Sequence, residues 1–317
     1  MSDAPAARLI WELNKESRMR HIVALLLLSL ILPLCAATQE VGTLTVMEGG
    51  LRLIRGVMVM QAVDGMKLRQ GDILESSAQG FYQLEFTDGT IVALGPSSQL
   101  FLLRSAPSRA GSADAPSTEL VLLAGWLKGE SSAKSAAFRY SAPLLGAATQ
   151  NGTVILQAQP DAASLFVESG SALIGEVSAD ASWKKFGTGK SGQFFSRTPG
   201  SPLNTLAKPS QVFVSAMPPP FRDTLPSRLS RFAGKSAEPI RQRQVTFADI
   251  VPWLSVGRPW RMSLVRRFEP LAGNPAFRAA LEAHLKEYPE WDPVLHPKKN
   301  LSTAPASAYS SPGSQHK

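Results

Sequence analysis

An all-β main domain followed by a small α-helical C-terminal extension is the fold class this chain predicts, and three observations predict it. Residues 41–197 alternate short apolar runs with Gly, Asn, Asp and Ser. Two of those runs flank an Asp88-Gly89 pair; this favours a β-hairpin, because a type I′ turn needs positive φ at both central positions. Beyond residue 245 the apolar residues change to helical spacing.

The early strand runs fall at 43–47, 51–54, 57–61, 71–74, 81–86, 91–94 and 100–103, with Gly49, Gly71-Asp72 and Gly95 at turns between them. Residues 105–117 (SAPSRAGSADAPS) have no apolar period and read as a polar loop. Apolar runs resume at 119–129 (ELVLLAGWLKG), 138–140, 154–158 and 164–167, and Asn151-Gly152 reads as a second hairpin turn. Such spacing suggests stacked strand-turn units, solenoid- or sandwich-like, or a barrel. A weak internal echo agrees with stacking: residues 46–54 (VMEGGLRLI) resemble 166–174 (FVESGSALI). Chance is the rival explanation of that echo.

Residues 198–244 carry Pro199, Pro202, Pro209, Pro218, Pro219, Pro220, Pro226 and Pro239. Proline has no amide donor, so this stretch reads as an extended linker, free or laid against the β-domain. Residues 245–297 read as a basic helical segment, its cations clustered at Arg258, Arg261, Arg266 and Arg267, although six acidic residues balance its six basic ones. Thr246 and Asp249 have capping-box spacing, and Trp260, Leu264 and Phe268 share one helix face. Asn274-Pro275 is a good N-cap and first-turn pair, opening a helix with Phe277, Leu281, Leu285 and Tyr288 as its stripe. The tail 298–317 is low in complexity and reads as disordered.

Residues 22–34 (IVALLLLSLILPL) follow Arg20 and precede Cys35-Ala36-Ala37. Basic residue, apolar block and small residues make a signal peptide over 1–37, cleaved near Ala37, with export to the periplasm of a Gram-negative-type bacterium as the expectation. An uncleaved N-terminal anchor is the alternative, and Met19 offers a later start that would omit 1–18. Cys35 is the only cysteine. Its removal on cleavage would exclude disulfides and thiolate chemistry from the mature chain; Leu34 before it is a poor match to a lipidation signal.

Charge is uneven. Residues 1–37 hold 4 basic and 3 acidic groups, residues 38–200 hold 13 and 14, and residues 201–317 hold 16 and 8, giving +1, −1 and +8. A basic segment on an exported protein suits anionic lipid, a cell-wall polymer or an acidic protein face rather than nucleic acid. Scattered solvated cations are the plainer reading.

Val41-Gly42, Glu48-Gly49, residues 68–74 (LRQGDIL) and residues 86–100 (FTDGTIVALGPSSQL) together resemble the FecR domain. That is the periplasmic β-rich module of iron-citrate-type signalling regulators. Residues 122–127 (LLAGWL) and 167–170 (VESG) are similar to its second half, so the resemblance covers roughly 41–195. It implies a β-rich signalling or binding module and no cofactor. The regulators place a cytoplasmic sigma-binding domain before one membrane span. Here some 21 residues precede the apolar block, fewer than the roughly 40 a chain needs to fold unaided. Anti-sigma activity is therefore not carried over, and a stand-alone exported member is the expectation.

Catalytic patterns are weak. Residues 187–191 (GTGKS) look like a phosphate loop, but Lys184 stands where the first glycine belongs. His284 and His296 supply too few ligands for a metal. Asp72, Asp88 and Glu48 sit beside glycines, where a side chain-to-backbone bond at a turn explains them. No enzyme, metal or cofactor is expected. Trp253 and Trp260 with Arg258, Arg261, Arg266 and Arg267 form the candidate partner contact, since aromatic and arginine side chains anchor interfaces; the alternative packs the rings inward and leaves the arginines in water. The function expected is a non-catalytic binding or signalling module for an envelope protein. The alternative is a structural protein that binds peptidoglycan or another wall polymer.

Overall fold

The computed structural model describes residues 40–104, 118–131 and 138–297. The signal peptide expected over 1–37, the loop expected at 105–117 and the tail 298–317 lie outside the described residues. Among the described residues, no helix is long and apolar enough to cross a membrane.

Among the described residues, sixteen strands form one hydrogen-bonded network. They are β1 Glu40–Glu48, β2 Leu51–Arg55, β3 Met58–Gln61, β4 Lys67–Arg69, β5 Ile73–Ser76, β6 Phe81–Phe86, β7 Ile91–Leu94 and β8 Gln99–Arg104. After them come β9 Thr118–Ser131, β10 Phe138–Ser141, β11 Leu145–Gln159, β12 Ala162–Val177, β13 Trp183–Lys190, β14 Phe194–Arg197, β15 Asn204–Leu206 and β16 Ile240–Gln244. All pairs are antiparallel except β9 with β10.

The register divides the network into two layers. In layer 1 the first half of β9 joins β8 and β10, and β8 continues through β5, β2 and β3 to β16. In layer 2 the second half of β9 joins β7 and β11, and β7 continues through β6 to β1. Strands β9, β11 and β12 belong to both layers, and each turns the corner at a glycine. Gly125, Gly152 and Gly170 hold φ of 87°, 151° and 67°, a region L side chains rarely enter. Strands that switch sheets at bends are how an orthogonally packed β-sandwich makes its corners. Asn151-Gly152 is thus no hairpin turn. Both residues pair onward with Ser171 and Gly170 of β12, so the glycine bends a strand that stays paired.

Period-two alternation explains the core. Leu53, Leu74, Leu100, Leu102, Leu120 and Leu122 of layer 1 meet Leu84, Val92, Leu94, Leu127, Val154, Leu156, Leu165 and Val167 of layer 2 in one buried cluster. Their neighbours point outward yet are also buried. On layer 1, Ile54, Ile73, Phe101 and Val121 lie beneath the C-terminal helices. On layer 2, Ala93, Trp126, Ile155 and Phe194 lie beneath Phe213, Met217, Phe221 and Leu225. Both faces of each layer being covered, the strands are apolar at successive positions.

The helices are α1 Gln211–Ala216, α2 Phe247–Leu254, α3 Arg258–Phe268, α4 Pro275–Ala283 and α5 Asp292–Leu295. Asn274 caps α4, its side-chain oxygen accepting from the Ala276 and Phe277 amides at 3.0 and 3.3 Å. The stretch expected as a linker is a strap. Its prolines prevent a long helix, but α1 and a short 3-10 turn at Pro219–Arg222 place Phe213 and Phe221 on layer 2, and the chain after each adds Met217 and Leu225.

Candidate functional site

Two sets of polar fasteners hold the C-terminal chain to the sandwich. On layer 2, Gln83, Glu85, Lys128, Glu130 and Glu168 project outward beside the apolar patch. Lys128 is fully buried. Its ammonium donates to the Phe221 and Asp223 carbonyls at 2.9 and 2.8 Å and pairs with Glu168 at 2.8 Å. Taking an ammonium out of water is costly, and partners of this kind offset that cost. Glu85 accepts from Ser227 Oγ (2.5 Å), Thr45 Oγ1 (2.7 Å), the Arg228 amide (2.7 Å) and Gln83 Nε2 (2.9 Å). Burial pushes its pKa up, but the hydrogen bonds outweigh burial and hold it below the usual carboxylate value.

On layer 1 the fasteners are arginine–carboxylate pairs. Arg52 bridges Glu75 and Asp249, Glu75 accepts from Trp253 Nε1 at 3.2 Å, and Arg243 also reaches Asp249. Asp249 accepts from the Thr246 amide and hydroxyl at 2.7 and 2.8 Å. Burial opposes its ionisation, but the bonds from Arg243 and Thr246 and the charge of Arg52 hold it well below the ordinary range. Arg267 donates to the carbonyls of Gly56, Gly71 and Ile54. Burial lowers its pKa to about 10, so it is charged at neutral pH. Asp72, next to Gly71, accepts from Arg55 at 2.7 and 2.9 Å and from the Arg69 amide at 2.8 Å.

Where the helical segment meets the corner of the sandwich, a cleft of about 720 Å³ opens. Its walls include Leu123, Leu144, Val256 and Trp260, with Gln99 and Gln159 as amides and Pro143, Pro160, Pro199 and Pro252 as rigid edges. Among the described lining residues, Arg197 is the one ionisable side chain. It is engaged already, donating to the carbonyls of Leu144 (2.9 Å), Val177 (3.1 Å) and Ser201 (3.1 Å). The rim closes where Gly257 touches Ala181: a methyl group on Gly257 would collide with it. Such a cleft offers apolar contact and amide hydrogen bonds rather than a charged reacting group.

The residues singled out in the sequence are spread through this architecture. Gly49, Gly71 and Gly89 adopt positive φ of 100°, 86° and 85° at turns, and Asp88 accepts from the Thr90 amide at 3.0 Å. Gly95 is a close-approach position, where a methyl would press on Trp126 and Pro218. The Trp–Arg contact is not an exposed unit. Trp253 and Trp260 are 0% and 4% exposed because they fill the gap between helices and layer 1. Arg267 is spent on carbonyls, and Arg261 donates to the Leu254 carbonyl and pairs with Glu290. Arg266 is exposed, and the Arg258 side chain lies outside the described residues. Residues 187–190 lie inside β13, a strand rather than a loop before a helix. His284 lies 3.2 Å from Glu287 and His296 2.9 Å from Asp292. Among the described residues no group of three or more His, Cys, Asp or Glu is placed to hold a metal.

Sequence reasoning passed over Lys128, Glu85 and the cleft. Charged residues inside apolar strands, such as Lys128 in LLAGWLKGE, were the available signal.

No family model matches this chain, and no curated protein does. The FecR resemblance therefore stands on the residues quoted for it. Solved structures similar to this chain include two of a candidate anti-sigma factor from Parabacteroides distasonis ATCC 8503, at 1.65 and 2.50 Å resolution. Identity is 9% and 10% and the TM-score 0.33 in both cases; 45% of this chain is covered. The chain spans 63% and 64% of those structures' lengths. A TM-score of 0.33 is too low to establish a shared fold.

Proposed function

We propose that this protein is an exported, non-catalytic binding module of the bacterial envelope, and that it recognises a protein partner through the cleft between the sandwich corner and α2–α3. One observation carries the reading: a cleft of about 720 Å³ walled by leucine, valine, proline and amide groups, its arginine already bonded to the main chain. Such walls suit an apolar or extended segment of a partner. The FecR resemblance and the apolar block at 22–34 support a signalling role in the periplasm. A structural protein holding peptidoglycan is the competing function.

Capture from envelope extract separates the two. The full chain and an Ala179→Trp variant, which fills the cleft from its exposed rim, are immobilised in parallel. The proposal expects one discrete membrane protein retained by the parent and lost from the variant. Retention of peptidoglycan by both chains would replace it with the structural reading.

A further inference from the structure

A second surface lies at the far edge of layer 1, away from β12 and β13. Strand β16 is the last strand there, paired only with β3. The chain leading into it follows the same edge. The Phe232 ring packs on Gly65, Ala237 bridges Met66, and Ile240 stands opposite Gln61. Residues 228–241 are thus pinned along the rim formed by residues 61–66.

That rim is basic. Arg228, Arg231, Lys235 and Arg241 are exposed, against two carboxylates, Glu238 in the same stretch and Asp64 on the adjoining 61–66. Arg243, beyond the bulge after Arg241, turns back to Asp249; the other four ion-pair with no described residue. Apolar side chains stand between the cations: Leu229 is 37% exposed and Ile240 60%. An anionic polymer would attract the cations but gain nothing from the apolar groups. A bilayer rewards both, with acyl boundary for Leu229 and Ile240 and headgroup phosphates for the arginines and lysine.

We propose that the rim of residues 228–241 is a docking surface for anionic phospholipid, on which the module lies flat against a membrane. The surface shares no residue with the cleft. It also moves the electrostatic contact from the C-terminal helices, whose Arg261 and Arg267 are engaged internally, to the strand edge before them.

The test is vesicle sedimentation with the full chain, comparing phosphatidylglycerol/phosphatidylcholine vesicles with pure phosphatidylcholine. Residues 22–34 are common to every variant, so the lipid preference of each variant relative to the parent reads the rim. The parent is expected to prefer anionic vesicles, and Arg231→Glu/Lys235→Glu/Arg241→Glu to lower that preference about tenfold or more. Leu229→Ser/Ile240→Ser should weaken vesicle binding while leaving retention on purified wall polymer unchanged. An unchanged lipid preference in the charge-reversed chain, with its thermal melt intact, overturns the proposal. So does wall-polymer retention that falls with charge reversal while vesicle binding does not.

Discussion

The two outer faces of the sandwich are covered by different means. Layer 1 carries regular helices, with Trp253, Trp260, Leu264, Phe268 and Trp291 in a large apolar cluster. Layer 2 carries a strap with one short helix and four apolar anchors. The fasteners differ to match. Layer 1 uses arginine–carboxylate pairs and the Arg267 side chain of α3, which grips carbonyls of the sheet, whereas on layer 2 Lys128 and Glu85 seize the strap's own backbone. A helix satisfies its main chain internally and can dock through side chains alone. An irregular proline-rich strap cannot, so the sheet must supply its donors and acceptors.

That contrast can be broken in order of effect. Trp253→Ala should cost about 3–5 kcal/mol by emptying a fully buried site, read as a lower urea midpoint. An unchanged midpoint would mean the helices do not cover layer 1. Lys128→Met should cost about 2–4 kcal/mol, because two carbonyls and Glu168 lose a buried partner. Its signature is selective: protease cleavage within 211–228 should rise while α2–α4 remain protected, and equal exposure of both coverings would erase the distinction.

Acid should separate the faces further. Both Glu85 and Asp249 have depressed folded-state pKa values. Their contributions are present above the unfolded carboxylate pKa and fade as pH falls through the folded one. Asp249 is the more strongly depressed, so its contribution is the larger and is still being lost at a pH where that of Glu85 is already gone. Hydrogen exchange on 211–228 and on α2 between pH 5 and 3 checks the order, and Glu85→Gln should remove the acid response of the strap alone. The smallest effect is local: Asn274→Ala should cost about 1 kcal/mol through loss of the α4 cap, with the strap untouched.

Much of this was legible in the sequence where the signal is local. β6 and β7 lie at Phe81–Phe86 and Ile91–Leu94 as expected, because turn residues and alternation act within a few residues, but the turn is not type I′: Gly89 holds positive φ and Asp88 does not. Asn151-Gly152 misled because a glycine's positive φ serves a strand corner as well as a turn, and only long-range pairing with β12 decides between them. The strap was obscured by its prolines, although Phe213, Met217, Phe221 and Leu225 recur every four residues. For the Trp–Arg group, composition cannot distinguish a partner's surface from the chain's own sheet. The cleft had no signature, since its walls come from seven separated stretches of chain.

The central claim is that the C-terminal segments are integral coverings of the sandwich, and that the cleft exists because of this. Native-state hydrogen exchange across the chain at neutral pH tests it most directly. The account predicts that α2 and α3 exchange with the same protection as β8 and β9 beneath them. Rapid exchange of α2 and α3 while β8 and β9 stay protected would contradict it, and would make the helices a separate appendage.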